Sequence, residues 1–477
     1  MTVTLSTPTP QYTSDIMDII RVFFGAVKGI SVRPPARGLV EHRFYETHNT
    51  WTCEFSMAGH GIQRSRPIPD ASNAVKRRCV KRLIKHTLYL LLKEITSLHP
   101  PWGSLTGITP TQLYFECLAD GLSPRKTEAF LVAYYDIFPE KAALLARVAE
   151  VQAKMSLPLN GYADVYIHIP FCDSICAYCS FPSGKADNGT QIKGYLSSLE
   201  IEIAETAALM KHQKLAPYAI YIGGGTPTSL SESSLQFLLQ MVKTAFHDAV
   251  EVTFEAGRAD SLTETKLRLL HDGFVTRICI NPQTMNDKTL RVIGRNHTAD
   301  DVIRVYQLSR HIGFANINMD IIAGLPGESL RDFSHTLNTV QQLCPESFTV
   351  HTLAIKRSSR MHFEKASLPN DLLVGAMLAK STDTADRMGY KPYYLYRQKH
   401  MAGNLENIGY ASDGYACAYN VDMMEDRVPI FGIGAGAVSK RLFAEESRIE
   451  RAYNVSDVNL YTAQTYDMIE RKKMLWA

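Results

Sequence analysis

The sequence predicts an α/β protein built around a partial (β/α)6 barrel, with a smaller mixed α+β domain before the barrel and a short C-terminal extension after it. After about residue 160, short apolar runs rich in β-formers alternate with amphipathic segments of helix length, a pattern typical of parallel strands joined by helical crossovers. The stretch SLPLNGYAD at 156–164 combines proline, asparagine and glycine and predicts a linker. We therefore expect domains at 1–155, 160–390 and 391–477.

Residues 1–155 lack this regular alternation. Their pattern predicts strands around 41–45 and 51–55, and helices around 74–95, 111–118 and 126–153.

The predicted helix at 74–95 contains the basic run VKRRCVKRLIK. A nucleic-acid surface is one interpretation, and a solvated helix face is the alternative that the pattern favours. The apolar residues of the run fit one stripe of a helix whose other faces carry Lys and Arg; they are Val75, Cys79, Val80, Leu83 and Ile84.

The barrel strands are predicted at 165–169, 219–222, 250–254, 275–280, 316–322 and 347–353. About six β/α units fit an open or partial barrel better than a complete eightfold one. Each predicted strand runs into a distinct polar, thiol or glycine-rich feature; in order, these are three cysteines, GGGTPT, Glu255, Gln283, Asp320 with GLPG, and His351 with Ala354. Because β/α barrels build their active sites at the carboxyl ends of the strands, we expect these features on one rim.

Composition narrows the class of protein. The chain has 477 residues, of which 45% are hydrophobic, and a formal charge of +3, which is too mild to make nucleic acid or a membrane the expected partner. No apolar run approaches the roughly 20 residues of a membrane span. The N-terminus lacks the basic start and apolar core of a signal peptide, so we expect a cytoplasmic protein. Nine cysteines without regular spacing do not describe a disulfide framework there.

The stretch HIPFCDSICAYCSF, residues 168–181, places Cys172, Cys176 and Cys179 in one tight loop. Three thiolates at these spacings can bind three irons of a [4Fe–4S] cluster and leave the fourth iron without a protein ligand. A structural zinc site that adds His168 is the alternative. The remaining cysteines have no partner spacing and are interpreted as small buried hydrophobes; they are Cys53, Cys79, Cys117, Cys279, Cys344 and Cys417.

GGGTPT, residues 223–228, follows the second predicted strand. Consecutive glycines let the backbone approach a small molecule closely, although a tight turn alone would also use them. Neither a P-loop lysine nor a G-x-G-x-x-G pattern is present.

At this point YIHIPFCDSICAYC followed by YIGGGTPTSL resembles the radical S-adenosylmethionine (SAM) superfamily, and within it the oxygen-independent coproporphyrinogen III oxidase family. The segments VTFEAGRAD, ICINPQTMNDKTLRVIGRNH and NMDIIAGLPGES support that family. The resemblance covers about residues 163–440. The separate N-terminal part is similar to that of the HemZ-type coproporphyrinogen dehydrogenases.

The resemblance implies roles for matching residues. Cys172, Cys176 and Cys179 would ligate a [4Fe–4S] cluster whose open iron is chelated by SAM. Tyr166 and His168 are the catalytic candidates. The implied SAM contacts are Tyr166, Tyr178, the backbone of Gly224, Gly225 and Thr226, Glu255, Gln283, Arg295, Asp320, Ala354 and Val438. Amide and carboxylate side chains suit ribose hydroxyls, and arginine suits the methionyl carboxylate.

The implied reaction converts two propionates of coproporphyrinogen III to vinyl groups, giving protoporphyrinogen IX. A 5′-deoxyadenosyl radical removes a hydrogen atom from the propionate β-carbon, carbon dioxide leaves, and an acceptor takes the remaining electron. Reduced flavodoxin or ferredoxin is the expected electron donor. A substrate with four carboxylates needs cationic anchors, for which the candidates are Lys356, Arg357 and Arg360, then Arg397 and Lys399.

One departure keeps other functions open. Ser180 and Phe181 follow Cys179 where the best-known oxidases have a fourth cysteine, a feature shared with haem-chaperone relatives. Against that, HMAGNLENIGYA lacks the His-Asn-x-x-Tyr-Trp segment usual in those chaperones. A haem-binding protein on the same scaffold, and radical SAM chemistry on another substrate, therefore remain alternatives.

Overall fold

The computed structural model describes residues 2–25, 29–31, 39–107, 109–155, 160–180, 184–185, 189–356, 358–364, 369–398, 401–443 and 448–477. Two compact units divide the chain, one formed by Met1–Ala146 with Arg397–Leu405 and the other by Arg147–Tyr396 with Glu406–Ala477.

The first unit contains a five-stranded sheet in the order β2-β1-β3-β4-β5. Its strands are β1 (Thr2–Ser6), β2 (Gly29–Ser31), β3 (Leu39–Thr47), β4 (Thr50–Met57) and β5 (His60–Pro67). The helices in this part of the sequence are α1 (Thr13–Phe24), α2 (Asn73–Thr96), α3 (Pro110–Ala119), α4 (Pro124–Tyr135) and α5 (Pro139–Lys154). One apolar core joins α1 and α2 to β3 and β4.

Helix α2 carries the basic run, and its apolar stripe is buried as predicted, with Cys79, Val80, Leu83 and Ile84 in the core. Several cations of the run have acidic partners within the unit. Lys81 and Lys85 contact Asp15 at 2.8 and 3.3 Å, and Arg78 and Arg82 both pair with Glu116.

Three sequence predictions need correction, two in this region and one in the second unit. The helix predicted at 126–153 is two helices, because Asp136 has a left-handed backbone conformation (φ 59°) and Pro139 begins the next helix. The predicted linker 156–164 ends earlier than expected, since Tyr162 already lies on a strand. Cys344, predicted to be buried, is exposed because it lies at the left-handed C-terminal cap of a helix.

The second unit contains an eleven-stranded sheet in the order β14-β15-β13-β12-β11-β10-β9-β6-β16-β17-β18, with the two-residue strands β7 and β8 paired separately. Its strands are β6 (Tyr162–Ile169), β7 (Phe171–Cys172), β8 (Gly184–Lys185), β9 (Ala216–Gly224), β10 (Glu251–Gly257), β11 (Arg277–Gln283), β12 (Ile317–Ala323), β13 (Ser347–Thr352), β14 (Lys391–Tyr396), β15 (Asn407–Ala411), β16 (Ile430–Ile433), β17 (Val438–Phe443) and β18 (Arg448–Tyr453).

Strands β6 and β9 to β13 are the six predicted barrel strands, and every neighbouring pair among them is parallel. The predicted α/β class and the six β/α units are therefore confirmed. Strand β16 adds a parallel neighbour to β6. At the outer edges, β15 and β14 on one side and β17 and β18 on the other run antiparallel.

The helices after β6 are α6 (Thr190–His212), α7 (Glu232–Ala245), α8 (Glu264–Asp272), α9 (Asp287–Val292), α10 (Ala299–Ile312), α11 (Leu330–Leu343), α12 (Arg360–Phe363), α13 (Asp371–Arg387), α14 (Ala418–Glu425), α15 (Val458–Ala463) and α16 (Thr465–Trp476). Capping boxes begin two of the crossover helices, with Thr298 and Asp301 at α10 and Ser329 and Asp332 at α11. These capping boxes mark helix starts between the predicted strands, in agreement with the alternation of strands and helices.

A buried carboxylate ties the C-terminal residues to the first crossover helix. Glu202, on α6, is fully buried and accepts hydrogen bonds from Gly434 N (2.7 Å), Asn454 Nδ2 (2.8 Å), Tyr461 Oη (2.6 Å) and Lys472 Nζ (2.9 Å). Four donors offset the cost of burying the charge. The residues after β16 are thus integral to the second unit.

No helix in the described part of the chain is long and apolar enough to cross a bilayer.

Replacing Lys472 by Met should lower the free energy of unfolding by about 3 kcal/mol, because the variant leaves Glu202 buried without its cation. Lys473→Met is the matched control: the Lys473 side chain is 41% exposed and pairs with Glu205 and Glu470 at the surface, so the substitution should cost less than about 1 kcal/mol. Urea unfolding of the cofactor-free protein, followed by circular dichroism, measures both. Equal effects of the two substitutions would contradict the assigned importance of the Glu202 contacts.

Candidate active site

The carboxyl ends of the six parallel strands bring the predicted features to one edge of the sheet. Strand β6 runs through Tyr166 and His168 to the cysteine loop, and its register places His168 opposite Gly223 and Ile169 opposite Gly224. Glu255 on β10, Gln283 at the end of β11 and Asp320 on β12 follow along the same sheet. The predicted convergence on one rim therefore agrees with the strand order.

The glycine turn after β9 packs directly against the chain that leads into the cysteine loop. Gly225 N donates to Ile169 O at 2.9 Å, and Thr226 N donates to Phe171 O at 2.7 Å. A Cβ atom at position 225 would lie 2.5 Å from Phe171 O and 3.0 Å from Cys172 Sγ. Only glycine fits this contact without displacing the cysteine.

The three cysteines lie in the loop after β6. Cys172 and Cys176 are buried and Cys179 is half-buried; Cys179 N donates to Cys176 O at 3.1 Å, which closes a turn. In the described ranges, no three His, Cys, Asp or Glu side chains surround a point where a single metal ion would bind. A cubane cluster takes each cysteine on a different iron, so its ligands need not converge in that way.

Arg295 lies next to the cysteine loop. Its Nη2 donates to Tyr178 Oη at 3.1 Å, and its Nη1 donates to Asn281 O at 2.6 Å. Its Nε atom is buried and has no hydrogen-bond partner among the residues described. A donor in this state is suited to an anionic group of a bound molecule.

Two carboxyl groups inside the barrel have different protonation tendencies. Burial raises the pKa of Glu255 to about 7, although Tyr221 Oη donates to its Oε1 at 2.8 Å. Asp320 is also desolvated, but hydrogen bonds and the nearby His351 hold its pKa below the usual range. Asn318 Nδ2 donates to Asp320 Oδ1 at 2.7 Å, and His351 Nε2 lies 3.7 Å from Oδ2. Near neutral pH, Asp320 is therefore ionised and Glu255 is partly protonated.

Tyr166 and His168 lie on β6, and Tyr166 is close enough to Glu255 to interact with its charge. The ring centroids of Tyr166 and His168 are 5.9 Å apart, and Tyr166 stacks on Tyr419 at 6.1 Å. Burial lowers the pKa of His168 to about 4, so its imidazole is neutral at physiological pH. The Nε2 atom of His168 is buried, with no hydrogen-bond partner in the described structure.

The other predicted residues are less closely connected. Gln283 has a left-handed backbone (φ 66°), and its buried Oε1 accepts no hydrogen bond from the residues described. Ala354 and Val438 are half-buried. In the part of the chain described, no hydrogen bond or ring contact joins either of them to the other predicted residues.

The candidate substrate anchors divide into three groups. Lys356 is half-buried, while Arg360 is exposed and lies 3.4 Å from Glu364. Arg397 is buried and donates to backbone carbonyls within its own unit, which indicates a structural role. Arg357 and Lys399, like Phe181 of the cysteine motif, lie outside the described residues.

The structure also identifies residues that the sequence reasoning did not single out. Tyr221 holds Glu255, and its ring stacks on Tyr419 at a centroid distance of 4.8 Å. Arg258, which is buried, forms an ion pair with the more exposed Asp260 beside Cys176. The motif VTFEAGRAD contained Arg258 and Asp260, but without neighbours in space their charges resembled ordinary surface residues.

Comparisons with known proteins identify the family of the chain. The radical SAM superfamily profile matches residues 166–340. The chain is 37% identical over 442 residues to the oxygen-independent coproporphyrinogen-III oxidase-like protein HemZ of Bacillus subtilis (strain 168), a match covering 90% of this chain and 88% of that protein. The chain belongs to the HemZ-type branch of the radical SAM superfamily.

Two further relatives cover less of the chain. The heme chaperone HemW of the same Bacillus strain is 32% identical over 274 residues, covering 57% of this HemZ-type chain and 69% of HemW. The solved coproporphyrinogen III oxidase HemN of Escherichia coli matches with a TM-score of 0.53 at 22% identity, covering 67% of this chain and 73% of HemN. That structural likeness confirms the predicted fold.

The radical SAM family uses a [4Fe–4S] cluster and SAM, and the residues of this HemZ-type chain fit both. Three cysteines are available for three irons. The Gly223–Gly225 turn has no side chains, while Gln283 Oε1 and Arg295 Nε are buried polar atoms without partners among the residues described. An acceptor, a donor and the ionised Asp320 suit hydroxyl, carboxylate and ammonium groups of SAM. The assignment of individual contacts remains a prediction.

Replacing Gly225 by Ala should reduce iron incorporation several-fold, because the added Cβ would displace Phe171 O or Cys172 Sγ. Gly375→Ala is the matched control, since a Cβ there meets no atom within 4 Å and the residue lies within helix α13. Iron and sulfide per chain after anaerobic reconstitution measure the effect. Full cluster loading in Gly225→Ala would show that the contact is not required.

Replacing Glu255 by Gln should stabilise the cofactor-free protein at pH 8 and have little effect at pH 5. The pKa of Glu255 is raised from 4.5 to about 7 by burial, so its contribution is fully present below pH 4.5 and is lost as pH rises through 7. The gain at pH 8 should reach about 2 to 3 kcal/mol.

Urea unfolding at the two pH values measures this difference. Glu264→Gln is the control, because Glu264 is exposed and pairs with Arg268 on the surface of α8; it should show no such pH dependence. The same Glu255→Gln effect at both pH values would contradict the raised pKa.

Proposed function

We propose that this HemZ-type chain catalyses the radical SAM oxidative decarboxylation of coproporphyrinogen III to protoporphyrinogen IX, in oxygen-independent porphyrin biosynthesis. The observation that carries the proposal is the extent of the HemZ similarity. It spans 90% of the chain and so includes the N-terminal unit, whereas the HemW similarity spans 57%. The name of that relative places it among coproporphyrinogen-III oxidase-like proteins.

In this proposal Cys172, Cys176 and Cys179 hold the cluster. The SAM contacts are the backbone of Gly224 to Thr226, the Tyr166 and Tyr178 side chains, Glu255, Gln283, Arg295 and Asp320, with Ala354 and Val438 at the edge. When bound, these cofactors supply the carbon-centred radical that removes a hydrogen atom from the substrate.

The chain's own residues set the conditions for that step. Arg295 offers a fixed guanidinium to a carboxylate, and Asp320 remains ionised to accept hydrogen bonds. Glu255, held by Tyr221, can keep a proton at neutral pH, which limits the negative charge inside the barrel. Neutral His168 beside Tyr166 adds no charge next to the reacting atoms. Tyr166 and His168 are our catalytic candidates.

The atoms and electrons of the decarboxylation balance as follows. Each propionate loses a hydrogen atom from its β-carbon, releases its carboxylate as carbon dioxide and forms a vinyl group, and one electron passes to a separate acceptor. Lys356 and Arg360 are our candidates within the described residues for binding the remaining carboxylates. Reduced flavodoxin or ferredoxin would supply the electron that starts each cycle, and we place the reaction in the cytoplasm. We also propose that residues 391–477 cover the substrate.

A haem-binding protein on the same scaffold is the second candidate. It is favoured by the HemW similarity, which covers 69% of that chaperone, and by Ser180 in place of the fourth cysteine of the best-known oxidases. Radical SAM chemistry on a different substrate is a third possibility on the same cofactor site.

The deciding experiment reconstitutes the cluster without oxygen and adds SAM, a reductant, an electron acceptor and coproporphyrinogen III. We expect vinyl products and one deoxyadenosine per vinyl group formed. Cys176→Ser should abolish both, while Cys344→Ser, an exposed cysteine outside the cluster loop, should leave both unchanged. Deoxyadenosine without vinyl products would favour another substrate. Tight haem binding without either product would favour the chaperone.

A further inference from the structure

Arg258 is a buried cation beside the cysteine loop. It lies three residues after Glu255, just beyond β10, and only 3% of its surface is exposed. A guanidinium is buried at this depth only where fixed partners compensate its lost hydration.

Asp260 holds two of the three guanidinium nitrogens. Arg258 Nε donates to Asp260 Oδ1 at 3.0 Å, and Nη2 donates to Oδ2 at 2.7 Å, which is a bidentate pair. His297 Nδ1 lies 3.3 Å from the same Oδ1 atom, and His297 is itself buried. The guanidinium plane is therefore fixed from behind.

The remaining nitrogen of Arg258 points into the cysteine loop. Its Nη1 lies 3.4 Å from Ser174 O and 3.6 Å from Cys176 Sγ. Both contacts are within hydrogen-bond range for their atom types, and both acceptors belong to the loop that carries the cluster ligands. Arg258 thus contacts a cluster cysteine from the end of the strand next to the glycine turn, and Arg295 is a second cation that hydrogen-bonds the same cysteine.

We propose that Arg258 is a positioning residue of the cluster site, which donates a charge-assisted hydrogen bond to the sulfur of Cys176 and thereby raises the reduction potential of the bound cluster. Reduction adds negative charge that is shared with the ligating sulfurs, so a cationic donor stabilises the reduced form more than the oxidised form. The inference rests on the cluster assignment and is independent of which substrate the enzyme takes.

Substitution of Asp260 provides a second test, because it should shift the reduction potential of the cluster in the opposite direction. Its carboxylate partly cancels the charge of Arg258, so its removal should leave the cluster facing a less compensated cation. A purely structural role for the Arg258–Asp260 pair would predict similar damage from either substitution, whereas the electrostatic role predicts potential shifts of opposite sign.

The experiment is an anaerobic redox titration of the reconstituted cluster, followed by electron paramagnetic resonance in the absence of substrate. Arg258→Gln should move the midpoint potential to more negative values, and Asp260→Asn should move it to more positive values. Arg268→Gln is the matched control because it removes an arginine whose partner, Glu264, is on the exposed face of α8; its potential should equal that of the unaltered protein.

The proposal is overturned if Arg258→Gln binds a full cluster with an unchanged potential. If Arg258→Gln fails to retain its cluster, Asp260→Asn decides alone: a positive shift supports the proposal, and a negative or absent shift overturns it. Because no porphyrinogen enters this titration, failure of the decarboxylation assay would leave the result interpretable.

Discussion

The close contact between Gly225 and the cysteine loop is the constraint on which the cofactor site depends. Two backbone hydrogen bonds bind the glycine turn to Ile169 and Phe171, immediately before Cys172. The turn after β9 and the loop after β6 are therefore one structural element. A shift of either would move a cluster ligand and the backbone expected to face SAM together. The contact explains the glycine at position 225, while a Cβ at 223 would meet Glu255 and Tyr221, and one at 224 would meet His168.

Positive and negative side chains inside the barrel occupy different places relative to the glycine turn and the cysteine loop. Arginines 258 and 295 lie on the side of the cysteine loop, where bound thiolates and a carboxylate bring negative charge. The carboxyl groups of Glu255 and Asp320 lie deeper along β10 and β12. The raised pKa of Glu255 and the lowered pKa of Asp320 show that burial alone does not fix protonation. Local hydrogen bonds determine which carboxyl group keeps its charge.

The sequence was most informative where one local pattern has one structural meaning. Six apolar runs between amphipathic segments predicted strands β6 and β9 to β13 in their order along the chain, because parallel strands joined by helical crossovers require that alternation. The same reasoning missed the antiparallel edge strands β14, β15, β17 and β18. These strands are only five or six residues long, and nothing in a short strand specifies its neighbour. Asp136 and Pro139 broke a helix that periodicity alone had predicted as continuous.

The site residues also fall into two groups, those that the sequence alone could identify and those that required the structure. Cysteines, glycines and carboxylates at strand ends could be recognised because their type and position are unusual together. Arg258 could not, because a charged residue after a strand is ordinary until its burial and its contact with Cys176 are known. Tyr221 looked like strand packing until its hydroxyl was placed 2.8 Å from Glu255.

The carboxylate of Glu202 has a consequence for the synthesis of the chain. Its cation, Lys472, lies 270 residues further along the sequence. On a ribosome that adds about 5 to 20 residues per second, Lys472 is therefore synthesised roughly 10 to 60 seconds after Glu202. Until then α6 carries a negative charge that the nascent barrel cannot enclose favourably. The barrel is therefore expected to close only after Lys472 has been synthesised, and the nascent chain would be exposed to chaperones throughout that interval.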